Sequence, residues 1–303
     1  MDSSSSEYSS DDDSGSEFYA PISPVVVQLD ENSPRIKYVA GAPVLNQCKI
    51  FNKHKGQIKL MLSEIEFLLQ YAERYDTVVY AGAADGWHIP TLDAMFVTLR
   101  LRWVLFDPAR FHPEVYNWQA QQGQRVSVRK EIFTMDHAKS FRNPRDSRVL
   151  FISDIRTKEE GSNAVPDDGH VMGNQMLQLQ WVQTMQPQAC CLKFRGAFNY
   201  TDGSWKEFFY LRGELNMQAW APPNSTELRL FACLPYTTVK YDSQMLEESM
   251  AYFNQRDRLE RGNDQKLQEW ILKKYSEAVR LGRRQEGLSA FQSFLSAYHA
   301  RRR

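Results

Sequence analysis

Apolar side chains recur in two rhythms along this chain. From Gln57 to Tyr71 they fall at Ile58, Leu62, Ile65, Leu68 and Leu69, the spacing of a helix with one buried face. Short β-rich runs then take over: TVVYAG (77–82), RWVLFD (102–107), VSVRKEIF (126–133), RVLFISDI (148–155), ACCLKFR (189–195) and TELRLFACL (226–234). Most are separated by helix-length amphipathic stretches such as 88–99 and 171–186. Strands alternating with helices predict a mainly parallel sheet covered on both faces. From Tyr241 onward the chain reads helical, through 243–261, 264–281 and 286–299, and no internal repeat is visible. The expected fold is α/β with a helical C-terminal extension.

The opening MDSSSSEYSSDDDSGSE breaks both rhythms. It cannot bury enough apolar surface to offset its ordering entropy, so it reads as disordered. Ser9 and Ser10 precede three aspartates and resemble acid-directed kinase sites. Order is expected to begin near Ile36, dividing the chain into an acidic tail (1–34), a main domain (35–254) and a helical extension (255–303). The 37 Lys and Arg balance 37 Asp and Glu, but the tail holds eight of the acids and none of the bases. Residues 35–303 thus carry 37 bases against 29 acids, and the last 49 carry twelve bases against six acids. A basic body with an acidic tail points to a polyanionic partner such as nucleic acid; an ordinary solvated surface also accounts for it. The four cysteines (Cys48, Cys190, Cys191, Cys233) show no zinc-ligand spacing and are too few for a disulfide framework at this length. No apolar run approaches the roughly 20 residues that span a bilayer. A soluble protein of a reducing compartment, with no metal and no membrane partner, is expected.

In open parallel sheets ligands sit beyond the carboxyl ends of the strands. The first such end is Tyr80-Ala81-Gly82-Ala83-Ala84-Asp85-Gly86, where small residues allow close backbone approach and glycines permit a sharp turn. Its G-x-x-x-G spacing is not the G-x-G-x-x-G of dinucleotide folds, and no phosphate-binding Lys follows. The second strand ends at Asp107, where a carboxylate accepts hydrogen bonds from a ribose diol. Together they suit an adenosyl ligand without phosphates, S-adenosylmethionine. A plain glycine turn and a capping Asp explain the same residues.

Two later strand ends carry charge where a core would exclude it. Asp154 ends VLFISDI, and Lys193 stands inside ACCLKFR; a Lys in such a run is costly unless paired or at the rim of the sheet. Lys59 on the early helix and Glu227 at the start of TELRLF join them as candidates. Methyl transfer to a ribose 2′-hydroxyl requires removal of a proton from a poor acid. A lysine amine can accept it where burial and a second cation disfavour the ammonium form. Lys193 is the expected base, with Asp154 and Glu227 orienting it and Lys59 holding the ribose and tuning the amine. Each residue taken alone reads equally as one half of a surface ion pair.

The stretches GQIKLMLSEIEFLL, VVYAGAADGWHI, ISDIRTKEEG, LKFRGAF and STELRL resemble the poxvirus cap-specific mRNA 2′-O-methyltransferases, which also serve as stimulatory subunits of viral poly(A) polymerase. The likeness runs from about Lys55 to Asn254. It implies a Rossmann-like methyltransferase sheet, S-adenosylmethionine as cofactor and capped mRNA as substrate. A poly(A) polymerase catalytic subunit would be a partner, and the host cytoplasm, its viral factories and the virion the locations. Carried over residue by residue, it places Lys59, Asp154, Lys193 and Glu227 in catalysis. Gln57, Tyr80, Gly82, Gly86, Asp107 and Arg110 fall in the cofactor site, with Asp154 beside them and Ile132 and Phe133 against the adenine. The cap would lie between two rings, with Phe198 matching one and Tyr38 a positional candidate for the other, and carboxylates from Glu247 and Asp202 would read its edge. A cationic purine between two rings gains attraction beyond stacking.

The chain departs from that pattern at two points. Asp85 replaces the usual Pro before the second loop glycine, and Asp107-Pro108-Ala109-Arg110 replaces Asp-Gly-Arg. Two other readings stay open: an FtsJ-type ribose methyltransferase acting on uncapped structured RNA, and an RNA-binding processivity subunit without activity. Loop packing accounts for Phe198 and Tyr38 as readily as cap binding. In the C-terminal extension, Lys266, Lys273, Lys274, Arg280, Arg283 and Arg284 could meet RNA phosphates or simply face solvent. Its aromatics Trp270, Tyr275, Phe291, Phe294 and Tyr298 read as core.

Overall fold

A computed structural model describes residues 25–37, 55–142, 148–156, 168–197, 206–222, 224–279 and 281–301. The most apolar runs of the sequence make its sheet. β2 (Thr77–Ala81), β3 (Arg102–Phe106), β4 (Val126–Arg129), β5 (Val149–Ser153) and β6 (Ala189–Phe194) run parallel in the order β4-β3-β2-β5-β6. β2, β5 and β6 are buried at every position, so they read as near-continuous apolar runs rather than alternating ones. Antiparallel β9 (Leu228–Cys233), β8 (Glu214–Asn216) and β1 (Gln28–Leu29) extend the sheet beyond β6. A separate antiparallel pair joins β7 (Glu207–Leu211) to β10 (Thr238–Asp242). The chain winds outward from β2 in both directions, and the β2–β5 boundary is therefore the switch point where such sheets take their ligands.

Strand alternation decides what faces what. Register places Tyr80, Ile152, Cys191 and Phe231 in one row across β2, β5, β6 and β9. That row meets α1 (Gly56–Tyr71): the Tyr80 hydroxyl donates to Glu64 at 2.6 Å, and the Phe67 ring lies 5.3 Å from Phe231. Neighbouring positions point to the opposite face, where Phe151 packs against Trp181 of α5 (Asp168–Met185). α1 is buried from Ile58 to Leu68, because the sheet takes one side of it and α7 (Asn263–Ala278) packs on another.

Shorter helices follow local signals. α2 (Ile89–Met95) follows the first strand's turn. α3 (Pro113–Gln122) opens with proline at its first position under a His112 cap, and α4 (Met135–Ser140) starts on a Thr134 capping box. α6 (Ser243–Tyr252) is capped by Asp242, which accepts from Gln244 and Met245 N–H. A π-helical run, Phe253–Glu260, splits the helix expected over 243–261. Buried Arg258 is held there by Asp264, Asn254 and the carbonyls of Pro222 and Gln218. α8 (Leu281–Ala300) closes the described chain by packing on α2.

Several expectations need revision. β4 stops at Arg129, not at residue 133, because Lys130 and Glu131 turn the chain outward, both exposed. Residues 25–34, assigned above to the acidic tail, include β1, a strand of the main sheet. The division at 254/255 cuts through helix, since α6 runs directly into the π-helical run. α3 and α4 were not anticipated. Cys190, Cys191 and Cys233 are free thiols, and no helix is long and apolar enough to cross a membrane among the described residues. Cys48 lies outside them.

Candidate active site

The α1-facing row of the sheet becomes ionic where it reaches the carboxyl edge. Two residues beyond Ile152 and Cys191 come Asp154 and Lys193; on antiparallel β9, two and four residues before Phe231 come Arg229 and Glu227. With a side-chain period of two, all four return to the face that α1 covers. Lys193 and Arg229 are register partners. One turn inside the start of α1, Lys59 reaches down to the same point. Thus residues far apart in sequence meet because strand alternation and one helix place them together.

The contacts are direct. Lys59 Nζ lies 2.6 Å from Glu227 Oε1, and Lys193 Nζ lies 3.2 Å from Asp154 Oδ1 and 3.3 Å from Glu227 Oε2. Arg229, 1% exposed, pairs with Asp154 through its guanidinium and sends Nε to Gln218 Oε1 at 2.9 Å. Gln218 in turn donates to the Glu227 backbone and side chain, and Arg156 approaches Glu227 at 3.5 Å. The backbone at the end of β6 is pinned by two buried glutamines of α5: Gln178 donates to the Lys193 carbonyl at 3.0 Å, and Gln175 accepts from the Arg195 N–H at 2.8 Å.

Four cations therefore enclose two carboxylates. Burial would raise the Asp154 carboxyl, but Lys193, Arg229 and Lys59 together hold it down at about 2. Burial is likewise overcome at Glu227 by Lys59, Lys193, Arg229 and Arg156, which keep it well below the ordinary range. Burial pulls the Lys59 amine below its ordinary value, Arg229 and Lys193 add to that, and Glu227 and Asp154 offset only part of it. The expected set Lys59, Asp154, Lys193 and Glu227 is brought together. Arg229 and Arg156 belong with it and were not anticipated.

The glycine turn stands at the adjoining strand end. Gly82 has φ +79°, and a Cβ there would lie 2.9 Å from the Asp154 carbonyl carbon and from Ile155 N. Gly86 has φ +71°, with Ala83 O only 2.8 Å from a Cβ; both positions demand glycine. Asp107 accepts from Ala84 N–H at 3.1 Å through one oxygen and from Ala109 N–H at 2.8 Å through the other. Each oxygen keeps a lone pair for a further donor. Gln57 Oε1 faces the N–H of His88 at 3.3 Å and its Nδ1 at 2.7 Å, while His88 Nε2 lies 2.8 Å from Glu64.

Other expected contacts fall elsewhere. The Tyr80 side chain, 1% exposed, is spent on Glu64, so only its backbone borders the turn. Phe133 is core, packed between Phe106, Phe151 and Trp181; its neighbour Ile132 is the exposed apolar side chain beyond β4. Arg110 is exposed after β3. Glu247 is buried on α6, the helix that meets the end of β6, where a Cβ on Gly196 would touch Leu246 at 3.4 Å. Tyr38, Phe198 and Asp202 lie outside the described residues.

Sheet order and switch-point turn define a Rossmann-like α/β fold with its ionic cluster at the carboxyl edge. The model of the poly(A) polymerase regulatory subunit family matches residues 24–275, and the chain belongs to that family. It is 31% identical over 216 residues to the cap-specific mRNA (nucleoside-2′-O-)-methyltransferase of myxoma virus (strain Lausanne), an alignment covering 66% of this chain and 61% of that protein. The fowlpox virus (strain NVSL) protein of the same description is equally identical, with 66% of this chain and 67% of that one covered. The chain thus spans about 61% of the length of the myxoma relative. Among solved structures, human methyltransferase-like protein 13 in complex with SAH matches 72% of this chain and 92% of its own at 14% identity and a TM-score of 0.32.

Proposed function

We propose that this protein transfers a methyl group from S-adenosylmethionine to the 2′-hydroxyl of the first transcribed nucleotide of capped mRNA. The observation that carries the reading is the meeting of Lys59, Asp154, Lys193 and Glu227 within 3.3 Å contacts beside a glycine turn. The activity named for the myxoma and fowlpox relatives supports it. The turn suits an adenosyl ligand: Asp107 keeps acceptor capacity for a diol, and Ile132 offers an exposed apolar surface beyond β4. Asp85 in the turn favours a cationic ligand over a phosphate. When bound, S-adenosylmethionine supplies an electrophilic methyl on a sulfonium.

The chain's own residues supply the rest. Lys193, as the neutral amine, accepts the hydroxyl proton at Nζ, and Asp154 and Glu227 stabilise the ammonium that forms. Positioned proton acceptance of this kind contributes on the order of 10²–10⁴ in rate. Lys59 spends one of its three donors on Glu227 and keeps two for the sugar. Arg229 fixes the Asp154 carboxylate, and its burial keeps water from competing for it. Beside this activity, the family description supports a second role, as regulatory partner of a poly(A) polymerase catalytic subunit.

The test compares methyl transfer to capped and uncapped forms of one short RNA. Transfer confined to the capped form is expected; equal rates would remove the cap and favour an FtsJ-type enzyme acting on RNA alone.

A further inference from the structure

The helix α8 lies beyond residues 24–275, the span that the family model matches, yet it packs on the turn read above as the cofactor site. The contact is made through Trp87, which directly follows Gly86. The indole is 6% exposed. The Phe294 ring lies 5.0 Å from it, and Tyr298 stacks at 6.0 Å with the planes 16° apart. The Arg301 guanidinium sits 3.9 Å from the ring centroid, a cation–π geometry. On its edge the indole N–H donates to Glu114 Oε2 at 2.9 Å, and Arg301 holds the other oxygen of that carboxylate at 3.2 Å.

What Trp87 adjoins gives this packing a consequence. On one side is Gly86, whose left-handed backbone shapes the turn. On the other is His88, whose N–H and Nδ1 fix Gln57. Asp85 is tied as well, since its carbonyl accepts from His112 N–H at 2.8 Å. An indole held on several sides therefore holds the C-terminal end of the turn and, through His88, the residue that fixes Gln57.

We propose that Phe294, Tyr298 and Arg301 are positioning residues that act through Trp87 to keep the turn in its ligand-ready conformation, making α8 a determinant of cofactor affinity. The inference rests on the cofactor reading above. Ligand binding to a turn that is competent for only a fraction of the time weakens by that fraction. If loss of the Tyr298 ring lowers that fraction to about one tenth, the dissociation constant rises about tenfold.

The full chain is titrated calorimetrically with S-adenosylhomocysteine, in wild type, Tyr298→Ala, Tyr298→Phe and Leu288→Ala. Leu288 lies on α8 about 15 Å along its axis from Tyr298, and its loss reports helix stability alone. Tyr298→Ala is expected to weaken binding about tenfold, Tyr298→Phe to restore it, and Leu288→Ala to lower the melting temperature while sparing affinity. At saturating cofactor the turnover of Tyr298→Ala returns to that of wild type, so the defect appears in KM and not in kcat. Wild-type affinity in Tyr298→Ala would overturn the inference, as would an equal loss in Leu288→Ala. Failure of the wild type to bind would instead remove the cofactor reading, and this inference with it.

Discussion

Replacing Asp154 by Asn keeps the shape and hydrogen-bonding reach of the side chain and removes one charge. Four cations would then surround a single carboxylate. The Asp154 carboxyl, held at about 2 against an ordinary 3.8, contributes about 2 kcal/mol to folding at neutral pH, at roughly 1.4 kcal/mol for each tenfold change in proton affinity. Because its folded value is depressed, that contribution is complete above about pH 5, shrinks to about half near pH 3 and is lost as the pH falls through about 2. Urea unfolding followed by tryptophan fluorescence measures it. Asp154→Asn should be less stable than wild type by about 2 kcal/mol at pH 7, with the gap closing as the pH is lowered. A gap that stays constant down to pH 3, or a variant more stable than wild type at pH 7, would refute the reasoning.

Two further outcomes follow from other sites. Burial, reinforced by Glu214 and opposed by Lys274, pushes the Glu66 carboxyl up to about 7. A raised carboxyl lowers stability progressively as the pH climbs from 4.5 towards 7, so Glu66→Gln should gain up to about 3 kcal/mol at pH 8 and nothing at pH 4; unfolding curves at the two pH values check it. Gly82→Ala forces a left-handed backbone onto a residue with a Cβ and drives that Cβ against the Asp154 backbone. It should lose about 1–3 kcal/mol of stability together with methyl transfer, and a Gly82→Ala protein with wild-type melting temperature and rate would contradict that account.

What was legible in the chain followed its apolar runs. β2, β5 and β6 are buried throughout and announce themselves as hydrophobic segments, broken in β6 by Lys193. α1 shows its face through Ile58, Leu62, Ile65 and Leu68, although its burial is nearly all-round. The short elements were not legible. α3, PEVYNWQAQQ, buries only Val115 and Trp118, and β8 has three residues, too few for either period to appear. At the site, Lys193 was visible as a charge inside an apolar run. Arg229 carries the same signal in LRLFAC, since a buried guanidinium on the neighbouring strand is as informative as a buried ammonium. The link Gln57–His88–Glu64–Tyr80 left no local trace. Its members are spaced by the fold rather than by any motif, and it draws the Tyr80 ring away from the turn that its sequence position suggested.

In the proposed reaction the Lys193 amine accepts the proton of a ribose hydroxyl. Lys193→Met keeps the length and apolar stem of the side chain, so methyl transfer to a short capped RNA is measured on it alongside RNA and S-adenosylhomocysteine affinity on the same preparation. Transfer should fall by a factor on the order of 10² or more while both affinities hold. Wild-type rates, or a loss of RNA binding that accounts for the loss of transfer, would contradict the assignment.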